Sequence, residues 1–433
     1  MCSGKAIMKQ YRNRIADKIL AESMEALGGV LVQGTKWCGK TTTSVQHAAS
    51  VLYMDDPDTK EQNIAIAQTN IKRLLQGDTP RVIDEWELAP QLWDAARFEI
   101  DHRSEHVGQF IFTGSAVPKE KDRKRIFHSG AGRFDWITMR TMSLWESGDS
   151  TGDVSLQALF NGAMPDGAAT VDLDKLAYLT CRGGWPGTLT LSERAALRVP
   201  HAYLKAVLNS DISSVDDVRR DANTMSRIIR SLARNQGEQI PYTTIRADII
   251  NNENTTISTD TVEDYVRVLS KIFLEEDMRA WNPNLRSKTA IRTSDTRYFV
   301  DSSIATSALG IGPKDLLNNL IDFGFYFETL AIRDLRVYAD ALDGEVFHYR
   351  DKNGLECDAV LHRRNGSYGL IEIKLGGADN IEKGATTLKA LSAKIDTDKM
   401  KAPSFMMVLT GVGQYAYRRS DGIYVVPIGS LKP

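Results

Sequence analysis

Gly34-Thr35-Lys36-Trp37-Cys38-Gly39-Lys40-Thr41 follows the pattern G-x-x-x-x-G-K-[ST]. The spacing has a chemical reason. Gly34 and Gly39 let backbone N–H groups curl around phosphate oxygens. Lys40 brings a point charge to the β- and γ-phosphates, and the Thr41 hydroxyl is a ligand for Mg²⁺. Thr42 stands beside it, and a helix N-terminus favours the anion. Val30-Leu31-Val32 reads as a strand before the motif and a helical stretch starts at Thr41. That context argues against a chance match. Downstream, Arg81-Val82-Ile83 leads into Asp84-Glu85. Asp84 is placed to complete the Mg²⁺ shell and Glu85 to polarise an attacking water. Ser115 ends a third apolar run, Phe110-Ile111-Phe112-Thr113-Gly114. It is a candidate for orienting the γ-phosphate, although a plain serine-containing loop reads the same. Arg133 in GAGRF reads, on its residues alone, as a surface arginine.

A second group of chemistry-bearing residues lies near the C-terminus. Asp358 sits in LECDAVL, and Glu372 and Lys374 sit in YGLIEIK. Side chains at i and i+2 share a strand face, so Glu372 and Lys374 point one way and Ile371, Ile373 and Leu375 the other. Asp358 shares its face with Glu356. Across a hairpin this is the D…E-x-K constellation of metal-dependent nucleases, with Asp358 and Glu372 as Mg²⁺ ligands and Lys374 orienting water. Glu328, on a preceding helix, is a further carboxylate. An ordinary half-exposed strand alternates in the same way, and both readings stand.

These residues need elements to position them. Three short apolar strands ending in polar residues, with helical stretches between, predict a parallel α/β sheet. RGGWPG, Arg182 to Gly187, marks a turn. Val262, Tyr265, Val266, Leu269, Ile272 and Phe273 lie on one helical face, and Asp260 with Glu263 gives a capping-box-like start. With an earlier helix near Thr224–Leu232 and extended Met278–Trp281, they suggest a winged helix. Arg279, Arg286, Lys288, Arg292 and Arg297 then make a locally basic stretch fit for phosphate contact or for packing between neighbours. The run Lys119–Arg125 mixes both signs and reads as a solvated loop. A helix over 322–340 precedes strands that turn at Asn353-Gly354 and Asn365-Gly366, both hairpin signals.

Composition sets the outer limits. Hydrophobic residues make up 42% of 433 and charged residues 25%, which excludes a disordered or fibrous chain. Lys+Arg 54 against Asp+Glu 56 gives a net charge of −2, so any nucleic-acid contact must be local. Four cysteines, Cys2, Cys38, Cys181 and Cys357, lie far apart, which disfavours zinc or a disulfide framework and fits a reducing cytoplasm. No apolar run approaches 18 residues, and a membrane span and a signal peptide are not expected.

The stretches YRNRIAD, LVQGTKWCGKTTT, RVIDEWELAPQLWDAARFEID, FIFTGSA, GAGRF, MRTMSLWESGDS, RGGWPG, CDAV, LIEIKLGG and YVVPIGSLKP run from residue 11 to residue 432. In these the chain resembles uncharacterised prokaryotic AAA-type P-loop ATPases with a C-terminal half like a restriction endonuclease. The resemblance implies an α/β fold with an AAA-like ATPase core over 1–150, a helical linker or lid over 151–220, a winged-helix-like unit over 221–290 and a restriction-endonuclease-like unit over 291–433. It implies Ser115 as sensor and Arg133 as an arginine finger, acting in trans in a homo-oligomer. The leading expectation is a Mg²⁺-dependent ATPase that drives or gates a DNA or RNA transaction. The alternatives are a nucleotide-dependent switch with an inactive nuclease fold, and a protein-remodelling ATPase.

Overall fold

The computed structural model describes residues 11–104, 106–115, 126–211, 218, 220–253, 256–286 and 291–433. Five strands form the first sheet: β1 (Gly29–Gln33), β2 (Ser50–Tyr53), β3 (Arg81–Asp84), β4 (Phe110–Gly114) and β5 (Phe134–Thr138). Their order is β2-β3-β4-β1-β5, and every pairing is parallel. The P-loop strand therefore sits between β4 and β5, and its carboxyl end is flanked by those of its neighbours. Both faces are covered. Helix α1 (Ile15–Ala26) contributes Leu20 and Met24 to a core with Val30, Val32, Val82 and Ile111. On the other face Leu31, Ile83, Phe110 and Phe112 pack with Trp86, Trp93 and Ala96, the last two on α4 (Leu92–His102). A parallel sheet buried on both faces explains why β1, β3 and β4 read as continuous apolar runs.

The middle of the chain is helical: α5 (Leu173–Arg182), α6 (Arg198–Ala206), α7 (Ala222–Arg234), α8 (Tyr242–Glu253), α9 (Thr259–Lys271) and α10 (Ser302–Leu309). The caps are local. Asp221 accepts from the Thr224 N–H at the start of α7, at 2.7 Å. For α9 the capping residue is Ser258, which accepts from the Thr261 N–H at 3.0 Å; Asp260 lies inside the first turn. The expected start at Asp260 and Glu263 is thus two residues late, because the serine hydroxyl reaches the free N–H groups first.

The 22-residue helix α11 (Leu320–Ala341) leads into a seven-stranded mixed sheet. Its strands are β7 (Gly167–Ala168), β8 (Gly344–Arg350), β9 (Glu356–Arg363), β10 (Tyr368–Lys374), β11 (Phe405–Thr410), β12 (Tyr415–Arg418) and β13 (Tyr424–Pro427). β8, β9 and β10 form the antiparallel meander that the Asn-Gly turns predict, and β11 joins β10 in parallel. α11 contributes Phe327, Leu330, Ala331 and Leu335 to a core with Leu361, Ile371 and Leu409. Helix α12 (Ala378–Lys394) contributes Ala385, Leu388 and Leu391 to a separate core with Val360, Leu370 and Val408. Far from these in sequence, β6 (Val154–Ser155) pairs in parallel with β14 (Leu431–Lys432). Among the described residues no helix is long and apolar enough to cross a membrane.

Candidate nucleotide site and carboxylate–lysine cluster

The P-loop turns sharply out of β1. Gly34 has φ +149°, and a Cβ there would lie 2.1 Å from the Met139 carbonyl oxygen, so only glycine lets the loop approach the neighbouring strand end. Gly39, with φ +105°, is the N-cap of α2 (Lys40–Gln46). Trp37 also adopts positive φ and is 65% exposed at the tip. The Lys40 ammonium is buried and donates to the carbonyls of Gly34 at 2.9 Å and Thr35 at 3.0 Å.

Asp84 ends β3 and meets the loop across the sheet. The Thr41 hydroxyl donates to its carboxylate at 2.7 Å, and the Thr113 hydroxyl donates to the same oxygen. Burial raises the Asp84 pKa above the ordinary value, and the two hydroxyls counter this. Glu85 adopts left-handed backbone geometry at φ +53°. Its carboxylate accepts from the Ser115 hydroxyl at 2.8 Å. Thus Lys40, Thr41, Thr42, Glu85 and Ser115 line one cleft of about 610 Å³, with Asp84 beneath it. Hard oxygens from one hydroxyl and one carboxylate beside a phosphate-sized cleft are the donor set Mg²⁺ accepts together with substrate phosphates. The residues therefore fit the ion.

Two participants escaped sequence reading. Glu87 is part-buried with its Oε2 shielded from solvent, and its carboxylate accepts from the Ser115 N–H at 3.0 Å. Burial and the Glu85 charge push Glu87 up to about 8. A second acid two residues after Glu85 was the available signal. Arg14 is buried against Glu146 at 3.0 Å and donates to the Cys38 carbonyl in the P-loop at 2.7 Å. Its signal was the matched stretch YRNRIAD, whose importance no local pattern explains. A second cavity, of about 310 Å³, opens on the far side of Gly39 and Thr42, lined also by Tyr11, Arg12 and Pro186.

Arg133 lies apart from this cleft. It is on the exposed lead into β5, ion-paired with Asp101 at 3.0 Å. The charged run Lys119–Arg125, Lys288 and Cys2 lie outside the described residues.

In the C-terminal sheet Asp358, Glu372 and Lys374 do converge. The Lys374 ammonium is 2.8 Å from Asp358 and 2.8 Å from Glu372, and Asp358 also accepts from the Ile373 N–H at 2.7 Å. The half-exposed strand of the bland reading is not what forms: Glu372 is 3% exposed and β10 is buried on both faces. Burial and the Asp358 charge push Glu372 up to about 8. Burial works against the Lys374 ammonium, but the two carboxylates outweigh it and hold its pKa above the ordinary lysine value. Glu328 on α11 is raised to about 8 by burial and by Asp358, and accepts from the Tyr298 hydroxyl at 2.6 Å. Glu356 instead pairs with Arg350 at 2.5 Å. The Lys374 ammonium thus holds the position between Asp358 and Glu372 that a divalent ion would need. Among the described residues no group of three or more His, Cys, Asp or Glu side chains is placed to hold a metal. With Lys374 so placed, the cluster does not fit a resident Mg²⁺.

The basic stretch is partly neutralised. Arg279 pairs with Glu345, Arg297 pairs with Asp277 at 3.3 Å, and Arg286 donates to the Thr397 hydroxyl at 3.1 Å.

Residues 28–147 match the family model described as an AAA domain. The core is AAA-like. Residues 173–315 and 323–431 match two further models, described as Domain of unknown function (DUF8612) and Domain of unknown function (DUF4143). No curated protein matches the sequence. Among solved structures, the Walker-type ATPase paby2304 of Pyrococcus abyssi is 13% identical over 68% of this chain and 94% of its own, with a TM-score of 0.41. The Aeropyrum pernix ORC1 protein in complex with DNA is 13% identical over 72% and 95%, with a TM-score of 0.23. Thermotoga maritima RuvB is 15% identical over 60% and 87%, with a TM-score of 0.24.

Proposed function

We propose that this AAA-like core binds and hydrolyses ATP with Mg²⁺, and that the nucleotide cycle acts on the C-terminal sheet unit. The observation that carries the reading is the convergence of Lys40, Thr41, Asp84, Glu85 and Ser115 at one cleft. Lys40 leaves the Gly34 and Thr35 carbonyls to meet the β- and γ-phosphates. Thr41 and Asp84 would hold the ion, which when bound would neutralise charge developing on the phosphates. Glu85 takes the proton of the attacking water, and Ser115 fixes the Glu85 carboxylate. The base lies toward the cavity beside Tyr11 and Pro186. Arg133, which is paired with Asp101 and does not line its own cleft, is the finger for a neighbouring copy's cleft.

A single experiment tests this core. Phosphate release by the full chain is measured with Mg²⁺ and ATP for wild type, Lys40→Ala and Glu85→Gln. Loss of Lys40 or of the base lowers turnover by about 10²–10⁴-fold. Turnover of wild-type size in Lys40→Ala sinks the assignment.

A second reading, cleavage of DNA or RNA by the sheet unit, is favoured by the meeting of Asp358, Glu372 and Lys374. The lysine between the carboxylates favours instead an inactive nuclease-like fold serving as a nucleotide-dependent switch. Metal-dependent strand cleavage that disappears in Glu372→Ala would decide for the nuclease.

A further inference from the structure

On the side of the P-loop away from the cleft, the main chain at Met139 and Arg140 is locked to the loop. The Met139 N–H donates to the Gln33 carbonyl at 2.7 Å, and the Cys38 thiol donates to the Met139 carbonyl at 3.3 Å. Gly34 packs against that same carbonyl. Arg14 ties the two segments together, with Nη1 on the Cys38 carbonyl at 2.7 Å and Nη2 on the Arg140 carbonyl at 2.9 Å.

The Arg140 side chain leaves the ATPase sheet altogether. It meets Glu276, just after α9, at 2.6 Å and Asp340, near the end of α11, at 2.6 Å. Glu276 also pairs with Arg336 at 3.5 Å. The Arg336 guanidinium lies 5.8 Å from the centre of the Tyr298 ring, and the Tyr298 hydroxyl donates to Glu328 at 2.6 Å. Glu328 in turn sits in the fields of Asp358, Lys374 and Glu372. Glu328, Ile332, Arg336 and Asp340 recur every fourth residue, so they form one ridge of α11. At 1.5 Å per residue the ridge spans about 18 Å. Contacts thus run from the phosphate loop as far as Glu328, on a helix that packs against the strands β9 and β10 carrying the carboxylate–lysine cluster.

A bound phosphate would give the loop end a second arrangement. Lys40 donates to the Gly34 and Thr35 carbonyls, and a phosphate competes for the same ammonium. Taking it removes two hydrogen bonds from the residues that pack on Met139. A ligand shifts a second site only through such a difference between states.

We propose that nucleotide occupancy of the P-loop and the arrangement of the Glu328–Asp358–Glu372–Lys374 cluster are energetically coupled through Arg140, Glu276, Arg336 and Tyr298. The proposal rests on the nucleotide reading of the P-loop. Arg140 is then a positioning residue that touches no phosphate and transmits the state of the loop. The reciprocity of coupled binding means that a change at the cluster end must alter affinity at the loop.

The test is a double-mutant cycle on the full chain. The dissociation constant of a slowly hydrolysed ATP analogue with Mg²⁺ is measured for wild type, Tyr298→Phe, Glu276→Gln and the double variant, beside each thermal midpoint. Tyr298→Phe lies outside the cleft and removes only the hydroxyl link. Coupling predicts about a fivefold weakening by Tyr298→Phe in the wild-type background and less than twofold in the Glu276→Gln background, with midpoints close to their parents. Arg140→Gln, which removes the link to Glu276 at the loop end of the same path, serves as the background if Glu276→Gln does not fold. An unchanged affinity in Tyr298→Phe, or the same factor in both backgrounds, overturns the coupling while leaving the nucleotide site intact. No binding by the wild type would instead overturn the nucleotide reading, and the coupling with it.

Discussion

At the scale of single residues, the acids near β3 divide the work by environment. Glu85 lines the cleft, whereas the Glu87 carboxylate accepts from the Ser115 N–H and its titration is raised to about 8. The folded protein keeps on Glu87 a proton that the unfolded chain releases near 4.5. Its stabilising contribution is therefore complete below about pH 4.5 and is lost as the pH climbs to about 8. Glu87→Gln replaces the acid by a neutral group of the same size. Its melting midpoint should fall less than that of wild type between pH 5 and pH 8, as followed by circular dichroism. A parallel decline in the two proteins would show that Glu87 carries its charge when folded. The same comparison separates a structural acid from the catalytic one, since Glu87→Gln should retain turnover that Glu85→Gln loses.

At the scale of elements, a buried ionic knot fixes α11 to the segments that follow the ATPase sheet. Asp301 accepts from the Thr141 hydroxyl at 2.6 Å, the Gly184 N–H at 2.9 Å and the Ser303 hydroxyl at 2.6 Å, and pairs with Arg333 at 3.2 Å. Arg333 also pairs with Asp334 at 2.7 Å, and Asp334 accepts from the Leu144 N–H at 2.9 Å. Burial opposes the Asp301 carboxylate, yet Arg333 and the hydroxyl donors hold its pKa below the ordinary aspartate value. Breaking one side of a buried pair costs about 3–5 kcal/mol, because the other charge is left without its partner. Asp301→Ala should lose about that much in urea denaturation, and a loss below about 1 kcal/mol would mean that Asp334 alone satisfies Arg333.

This knot also marks where sequence reading stops. The strands β1, β3 and β4 were legible because burial on both faces makes them apolar throughout, and the hairpins because Asn-Gly pairs fix tight turns. β2 and β5 lie at the sheet edges, where no residue of Ser50–Tyr53 is fully buried and Phe134–Thr138 mixes exposed and buried positions, and neither announces a strand. The P-loop, Asp84-Glu85 and the meeting of Asp358 with Glu372 and Lys374 were legible through spacing. Arg14, Arg140 and Asp301 were not, since the partners Glu146, Glu276 and Thr141 lie more than a hundred residues away and only the tertiary fold brings them together. The Lys374 ammonium between two carboxylates was likewise invisible: E-x-K fixes a shared face, not where the charge comes to rest.

At the scale of the whole molecule, the helical middle and the C-terminal sheet share one hydrophobic core. Leu176, Ile228 and Leu269 belong to the same cluster as Leu335, Ile371 and Leu431. The borders of the matched models, at 315 and 323, cut through it. Residues 323–433 produced alone would expose the α11 face that packs on the helical unit. They should give poorly dispersed amide resonances and no cooperative melt, whereas 150–433 should give well-dispersed resonances and a cooperative melt. A cooperative melt from 323–433 would instead define an independent folding unit. The ATPase sheet has its own two cores, one on each face, and is the piece best able to fold separately.

The pairing of β14 with β6 carries a consequence for the order of events during synthesis. The Ser150 hydroxyl donates to the Leu431 carbonyl at 2.8 Å, and the Ser155 hydroxyl to that of Pro433 at 2.9 Å, across 281 and 278 residues. β6 must wait, unpaired, until residues 431–433 leave the ribosome. At about 5–20 residues per second that wait lasts tens of seconds, and for its duration Val154, buried in the folded protein, lacks its β14 partner. The pairing therefore closes long after β6 itself is made.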